Sequence, residues 1–209
     1  MKLDLKRHDI NAIIKDIAEQ FKDAASIKGL ELSVSLPAPE MEAIVDNDII
    51  RKIMVNLMSN ALKYAASMIE LSLKESDGHI VICVSNDGPR IPEGQKEKIF
   101  QIFYQIPDDK KQMPGTGIGL AFSKSLAESH QGTLSVENLP SSGCSFILSL
   151  PLKRATEKLP ETESHPESEG FEPDLPQTKN KRHTVLIVED NIELQNEIRE
   201  ALEQWYKVY

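Results

Sequence analysis

Apolar residues recur at Ile10, Ile13, Ile14, Ile17, Ala18 and Phe21. This i, i+3, i+4, i+7 spacing predicts an amphipathic helix, with Asp9 placed to cap its start and Gly29 its end. The period then drops to two: Leu30, Leu32, Val34 and Leu36 alternate with Glu31, Ser33 and Ser35, the mark of a half-buried strand. Ala43 to Val45 reads as a short strand leading into a second helix, which opens near Asp46 and runs through Tyr64. Ile69, Leu71 and Leu73 alternate again, and Ile80 to Val84 is an apolar run, with a hairpin turn expected at Ser76-Asp77-Gly78. Lys98 to Gln105 predicts a short amphipathic helix, and a further helix starts near Ile118 and ends at Gly132. Strands at Thr133–Glu137 and Cys144–Leu150, joined through Ser141-Ser142-Gly143, complete the pattern. The expected fold class is α/β (α+β), a two-layer sandwich with a mixed sheet and helices on one face.

Beyond residue 152 the pattern fades. Lys153 to His183 interleaves Pro160, Pro166, Pro173 and Pro176 with acidic residues and few large apolar ones, so residues 153–183 read as a disordered linker. Order returns at Thr184. Val185-Leu186-Ile187-Val188 is a buried-strand run, followed by Glu189-Asp190-Asn191 and a helix through Ile192, Leu194, Ile198, Leu202 and Trp205. The expected organisation is a domain over 1–152, a linker over 153–183 and a partial unit over 184–209. One strand and one helix cannot close a core of their own.

Two stretches depart from plain amphipathicity. In the second helix, Asn56, Asn60 and Lys63 fall within about 60° of one another at roughly 100° per residue. Ile50, Ile53, Met54, Leu57, Met58 and Ala61 occupy the rest of the surface. Buried carboxamides are unfavourable without partners, so the stripe is either a solvated face or a face turned to a polar ligand. The Asn60 carbonyl oxygen suits Mg²⁺, which prefers oxygen ligands and keeps waters and substrate phosphates in its shell. The second stretch is Gly115-Thr116-Gly117-Ile118-Gly119-Leu120. Its glycines leave the backbone amides bare, and the following helix points free N–H groups and a positive dipole end the same way. It lacks the lysine of a P-loop and the preceding strand of a dinucleotide fingerprint. At the end of the Ile80–Val84 run, Gly88 allows close approach of the backbone to a planar ligand.

Composition narrows the function. The 209 residues are 40% hydrophobic and 27% charged, ordinary for a globular protein, and the net charge of −9 argues against direct binding to nucleic acid. Cys83 and Cys144 read as buried free thiols. No apolar run approaches the roughly 18 residues of a membrane span, and no secretory signal is present, so no membrane contact by this segment and a cytosolic location are expected. His79, His130, His165 and His183 show no metal spacing and read as surface or linker residues.

Four stretches in order, Asn56–Tyr64, Asn86–Pro92, Lys98–Gln105 and Gly115–Lys124, together resemble the ATP-binding domain of the GHKL superfamily, specifically the catalytic domain of sensor histidine kinases. The resemblance implies a Bergerat-type fold that binds ATP with Mg²⁺. It implies Asn60 as the Mg²⁺ ligand and Asn56 as a catalytic residue that orients a water or supports the metal site. It puts Lys63 and Tyr64 at phosphate and ribose, and Gly115, Thr116, Gly117, Ile118, Gly119 and Leu120 around the phosphates. Asn86, Gly88 and Ile91 would sit at adenine. Lys98–Gln105 would form the base of a lid over Ile106–Pro114, with Phe100 and Phe103 packed on the sheet, and Lys110 and Lys111 read as solvated charges. Two positions depart from the family: Asn86 stands where Asp is usual, and Arg90 where glycine is usual.

The tail resembles the opening of a response-regulator receiver domain, in which Glu189 and Asp190 would be the Mg²⁺-binding acidic pair. The implied parent is a hybrid two-component sensor kinase of a kind that can be anchored in an inner membrane. Its ATP γ-phosphoryl group would pass to a histidine on a dimerisation domain upstream, then to a receiver aspartate. His8-Asp9 does not supply that histidine, because the dimerisation domain is a long helical hairpin and only one helix fits before Leu30. Other GHKL ATPases or serine kinases, and a non-catalytic module that binds nucleotide or serves only as a dead interaction module, are the alternatives. The chaperone and topoisomerase types place Glu where Asn56 stands, while Asn86 and Arg90 favour the non-catalytic module.

Overall fold

The computed structural model describes residues 3–106 and 116–152, together with the backbone of 184–185 and 207–208. The chain divides into two compact units, Met1–Glu161 and Thr162–Tyr209.

In the first unit, strand β1 (Lys6–Asp9) leads directly into helix α1 (Ile10–Ile27). The Asp9 side chain accepts from the Ala12 N–H, satisfying one of the free donors at the helix start. At the other end Gly29 has φ +68°, the Gly29 N–H donates to Ser26 O, and the Leu30 N–H donates to Ala25 O. These two reverse bonds form a Schellman cap, which needs a left-handed residue where glycine stands. Strand β2 (Glu31–Ser35), strand β3 (Glu42–Val45) and helix α2 (Asn47–Tyr64) follow. Asp46 caps α2, its Oδ1 accepting from the Asp48 and Ile49 amides at 3.1 and 3.2 Å.

Strands β4 (Met68–Ser76) and β5 (His79–Asn86) form the expected hairpin. Asp77 and Gly78 both take positive φ, 50° and 72°, the twist that a two-residue turn between right-twisted strands requires. Helix α3 (Gly119–Ser129) precedes strands β6 (Thr133–Asn138) and β7 (Cys144–Pro151). The main sheet runs β2-β4-β5-β7-β6. The β2–β4 pair is parallel and the rest antiparallel, so the sheet is mixed.

Alternation sorts the two faces. Ile69, Leu71 and Leu73 of β4, Ile80, Ile82 and Val84 of β5, and Phe146, Leu148 and Leu150 of β7 are all buried. They join Ile50, Ile53, Met54 and Leu57 of α2 in one core. The opposite face carries short polar side chains, among them Ser85 and Ser145, whose hydroxyls bond at 2.9 Å. The two-layer α/β sandwich with helices on one face is thus as expected. Cys83 and Cys144 are free thiols, half-buried and buried respectively, and burial pushes both up from the ordinary thiol range.

Four points differ from the expected pattern. Lys6–Asp9 is a strand, where the sequence offers only four polar residues; pairing with β3, Lys6 opposite Val45 and Asp9 opposite Glu42, makes it one. Lys98–Gln105 is not a continuous helix. Two 3₁₀ turns, Glu93–Gln95 and Lys98–Phe100, replace it, and Phe103 turns left-handed at φ +66°. The Phe103 N–H leaves the helical ladder to donate to Gly117 O at 2.9 Å. Phe100 packs edge-on against Phe146, with ring centres 6.5 Å apart, but Phe103 is 74% exposed and does not pack on the sheet.

The third correction concerns the end of α3. Gln131 takes the left-handed position at φ +60°, and the Gly132 N–H reaches back to Ala127 O. Gly132 is required for another reason: a Cβ there would strike Ser149 O and the Leu150 side chain. The fourth concerns His130, which is 6% exposed rather than a surface residue.

In the second unit, strands β8 (Thr184–Val185) and β9 (Lys207–Val208) pair in parallel. The expected strand at Val185 is therefore present in part, and β9 is an addition to the expected single strand. Lys153–His183, the helix from Ile192, and Glu189 and Asp190 lie outside the described residues. Among the described residues no helix is long and apolar enough to cross a membrane.

Candidate functional site

The site is built where α2 and α3 meet. Asn56 sits on the α2 face turned to α3, and its Nδ2 donates to Ser123 Oγ at 2.9 Å. One turn before Ser123, a Cβ on Gly119 would collide with the Asn56 carboxamide oxygen. Glycine at 119 thus lets the first turn of α3 lie directly on the Asn56 side chain. Gly117, at φ +68°, lies equally close to the Phe103 backbone, where a Cβ would come within 2.7 Å of the Phe103 carbonyl carbon. The glycines therefore serve first to bring backbone against protein neighbours.

Helix α3 starts differently from the other two. Asp9 caps α1 and Asp46 caps α2, but Ile118 offers no capping side chain. The first-turn amides of α3 keep their donor capacity and the positive end of the helix dipole. Thr116 and Ile118 are exposed around this end, while Gly119 and Leu120 are half-buried. Gly115 lies outside the described residues, as do Lys110 and Lys111.

One turn along α2 from Asn56, Asn60 is half-buried, and among the described residues its carboxamide makes no hydrogen bond. Lys63 follows, its Nζ 4.8 Å from the centre of the Tyr64 ring. Tyr64 is 39% exposed. The stripe expected from the sequence is therefore assembled, with Asn56 committed to α3 and Asn60 open.

The third wall is the end of β5. Asn86 is 3% exposed; its Oδ1 accepts from the Gly88 N–H at 3.0 Å, and its Nδ2 points to Cys144 Sγ at 3.7 Å. Gly88 is buried, and a Cβ there would collide with the Tyr64 carbonyl oxygen. The close approach that glycine permits is thus to the end of α2. Ile91 is pinned at both backbone atoms by Asn138: its N–H donates to Oδ1 at 2.9 Å and its carbonyl accepts from Nδ2 at 2.8 Å. Arg90 is exposed, with no left-handed φ that would demand the family's glycine.

Asp87 is the residue that sequence reading passed over. Its carboxylate accepts from the Ala66, Ser67 and Met68 amides at 2.9 to 3.1 Å and from the Ser67 hydroxyl at 2.5 Å. Desolvation works against its charge, but the Ser67 hydroxyl and these amides outweigh it and hold the carboxyl well below the usual carboxylate range. Asp87 thereby ties the end of β5 to the loop leaving α2. Its neighbour Asn86 carried the attention because of family pattern; the four donors around residue 87 come from residues nineteen to twenty-one positions away, which no local motif signals. Ser123 was also missed. Its only signal is a polar residue between the apolar Leu120–Ala121 and Leu126–Ala127 pairs, one turn from Gly119.

The donor set fits a nucleotide with its metal: open helix-terminal amides for phosphate oxygens, the oxygen of a half-buried, open carboxamide at Asn60 for a hard cation, and a Lys63 ammonium nearby. Among the described residues, no group of three or more His, Cys, Asp or Glu side chains is placed to hold a metal ion.

Comparison with known proteins agrees. Residues 45–154 match the family described as histidine kinase-, DNA gyrase B-, and HSP90-like ATPase. The sensor histidine kinase TmoS of Ectopseudomonas mendocina is 33% identical over all of this chain and 24% of its own length. The adaptive-response sensory kinase SasA of Crocosphaera subtropica is 31% identical over 67% of this chain and 37% of its own. The chain thus spans between a quarter and two fifths of these relatives. In fold it is similar to the nucleotide-free catalytic domain of histidine kinase ThkA, with a TM-score of 0.65 at 23% identity, over 73% of this chain and all of that one. With its family profile beginning at Val45, just before the Asp46 cap, and continuing through α2, the β4–β5 hairpin, α3 and β7, the chain belongs to the histidine kinase-, DNA gyrase B- and HSP90-like ATPase family.

Proposed function

We propose that this chain is the ATP-binding catalytic part of a hybrid sensor histidine kinase, which donates the ATP γ-phosphoryl group to a histidine on a separate dimerisation domain. The observation that carries the reading is the meeting of an uncapped α3 start with the Asn56–Asn60 face of α2. In this reading Asn60 Oδ1 holds Mg²⁺, and the amides from Thr116 to Leu120 leading into α3, with Gly115, receive the phosphates. Lys63 swings from the Tyr64 ring toward phosphate, and Tyr64 reaches the ribose. Asn86, Gly88 and Ile91 form the base end, with Asn86 presenting its amide in place of a carboxylate. Asn56 orients the metal side of the site. When bound, Mg-ATP supplies the transferable phosphoryl group; the protein supplies position and charge neutralisation.

The parallel β8–β9 pair favours a receiver-type sheet in the second unit, because parallel neighbours need a crossover connection. Glu189 and Asp190 would follow its first strand as the acidic Mg²⁺ pair. Onward transfer to a receiver aspartate, and a cytosolic setting beneath a membrane-anchored parent, complete this reading.

Calorimetric titration with Mg-ADP, beside Asn60→Ala, tests it. Saturable binding that weakens at least about tenfold in the variant supports the assignment, since losing one charge-assisted contact is worth about that factor. No saturable binding by a cooperatively folded chain would overturn it and leave the dead interaction module, which the Asn86 amide and Arg90 favour.

A further inference from the structure

Ser123 lies within α3 at 1% exposure, on the same buried side as Leu126 and Ala127. Alanine would fill this position with better helix propensity and no hydroxyl to satisfy. Among the described residues the hydroxyl has one partner, Asn56 Nδ2 at 2.9 Å. The other end of the same carboxamide lies against Gly119, where its oxygen occupies the space that a Cβ would need. Asn56 is thus gripped at both ends by one turn of α3.

The two ends of a carboxamide differ chemically. The oxygen accepts hydrogen bonds and can face a hard cation or its water; the NH₂ group only donates. A serine hydroxyl both donates and accepts, so Ser123 holds the carboxamide in place whichever end it meets; here it accepts from Nδ2. With Nδ2 engaged at Ser123, the oxygen is the end presented toward the start of α3.

We infer that Ser123 is a positioning residue, which holds the Asn56 carboxamide against the first turn of α3 and so sets the metal side of the nucleotide site. The inference rests on the nucleotide reading given above. It makes Ser123 act through Asn56 and not as a general tie between two helices.

The test uses the whole chain as wild type, Ser123→Ala, Asn56→Ala, the double variant and Asn60→Ala. Each is titrated with ADP in excess Mg²⁺ and again in excess EDTA. Ser123→Ala is expected to weaken Mg-ADP binding about fivefold, the effect of one lost hydrogen bond, and to change metal-free ADP binding less than about twofold. In the Asn56→Ala background the same substitution should add less than about twofold, as a double-mutant cycle requires of residues acting as a unit. The side-chain NH₂ resonances of Asn56 should move toward those of a free amide in Ser123→Ala, in the absence of any nucleotide. Thermal melting of each variant confirms a cooperative fold.

Unchanged Mg-ADP affinity in Ser123→Ala, with Asn56→Ala and Asn60→Ala both weakened, would overturn the inference and leave the nucleotide reading standing. Equal losses in both backgrounds, or equal losses with and without Mg²⁺, would make Ser123 merely structural. Absence of saturable binding by the wild type would overturn both.

Discussion

The Asp46 backbone N–H donates to His130 Nε2 at 2.9 Å, joining the start of α2 to the end of α3 across 84 positions of sequence. An imidazole nitrogen that accepts here must carry its proton on Nδ1. The same Asp46 accepts from the Asp4 amide through Oδ2 and from the α2 amides through Oδ1. One residue therefore links the segment before β1, the helix bearing Asn60 and the helix bearing the glycine turn. His130→Ala would leave the Asp46 donor buried and unsatisfied. The expected loss is about 1–3 kcal/mol in folding stability by urea denaturation, the range for an orphaned buried donor.

Asp87 gives a pH dependence with a definite sign. Its folded-state carboxyl is held below the ordinary value of 3.8, so the ionised form stabilises the fold. That contribution is complete above the ordinary carboxylate range and is lost progressively as pH falls through 3.8 and below. Asp46 shifts in the same direction: desolvation works against its charge, but the Asp4, Ile49 and Asp48 amides outweigh it. Asp87→Asn should therefore be less stable at neutral pH and show a shallower fall in stability below about pH 4. Equilibrium unfolding at stepped pH checks this; an unchanged acid slope would remove Asp87 from the account.

Gly119 and Gly88 should respond to alanine in opposite ways. At Gly119 the obstructing atoms belong to the movable Asn56 carboxamide. Gly119→Ala should keep the melting temperature within a few degrees while Mg-ADP affinity falls about tenfold, because Asn56 is displaced from its seat. At Gly88 the obstruction is the Tyr64 backbone carbonyl, which cannot rotate away. Gly88→Ala should destabilise by about 2 kcal/mol or more. Melting and titration of both variants separate the two cases.

The chain alone should bind Mg-ATP without retaining its phosphate. His8 is held in β1 opposite Ala43, His79 closes the β4–β5 hairpin, and His130 is buried at the opposite end of α3 from Gly119. Incubation with γ-labelled ATP is expected to leave no acid-labile, base-stable label on the purified chain, and label should appear on a histidine-bearing dimerisation domain added in trans. Label retained on this chain would refute the assignment of the acceptor elsewhere.

Much of this was legible from the amino-acid sequence. Asp9, Asp46 and Gly29 mark helix ends through local chemistry, and the alternation of Ile69–Leu73 and Ile80–Val84 fixes which face is buried. The Asn56, Asn60 and Gly117–Gly119 elements of the site were readable for the same reason: helical spacing and bare backbone are local properties. What escaped was made by distant partners. β1 exists because β3 pairs with it, and Phe103 leaves the helical path because Gly117 O takes its N–H. His130 is buried because Asp46 meets it, and Asp87 matters because the Ala66–Met68 amides converge on it. None of these pairings leaves a periodic trace along the chain.

The end of β5 is confined on both sides by glycines that admit no side chain. Gly143, at φ +84°, lies against the Asn86 carbonyl and the Asp87 Cα, and Gly88 lies against the Tyr64 carbonyl. The atoms that hold Asn86 and Asp87 in place are therefore largely backbone, and backbone is the same whatever side chains a lineage samples. The consequence is evolutionary: in the proposed nucleotide reading, a change between amide and carboxylate at Asn86 alters what the base end can recognise without moving it, so recognition there can drift while the fold stays under constraint.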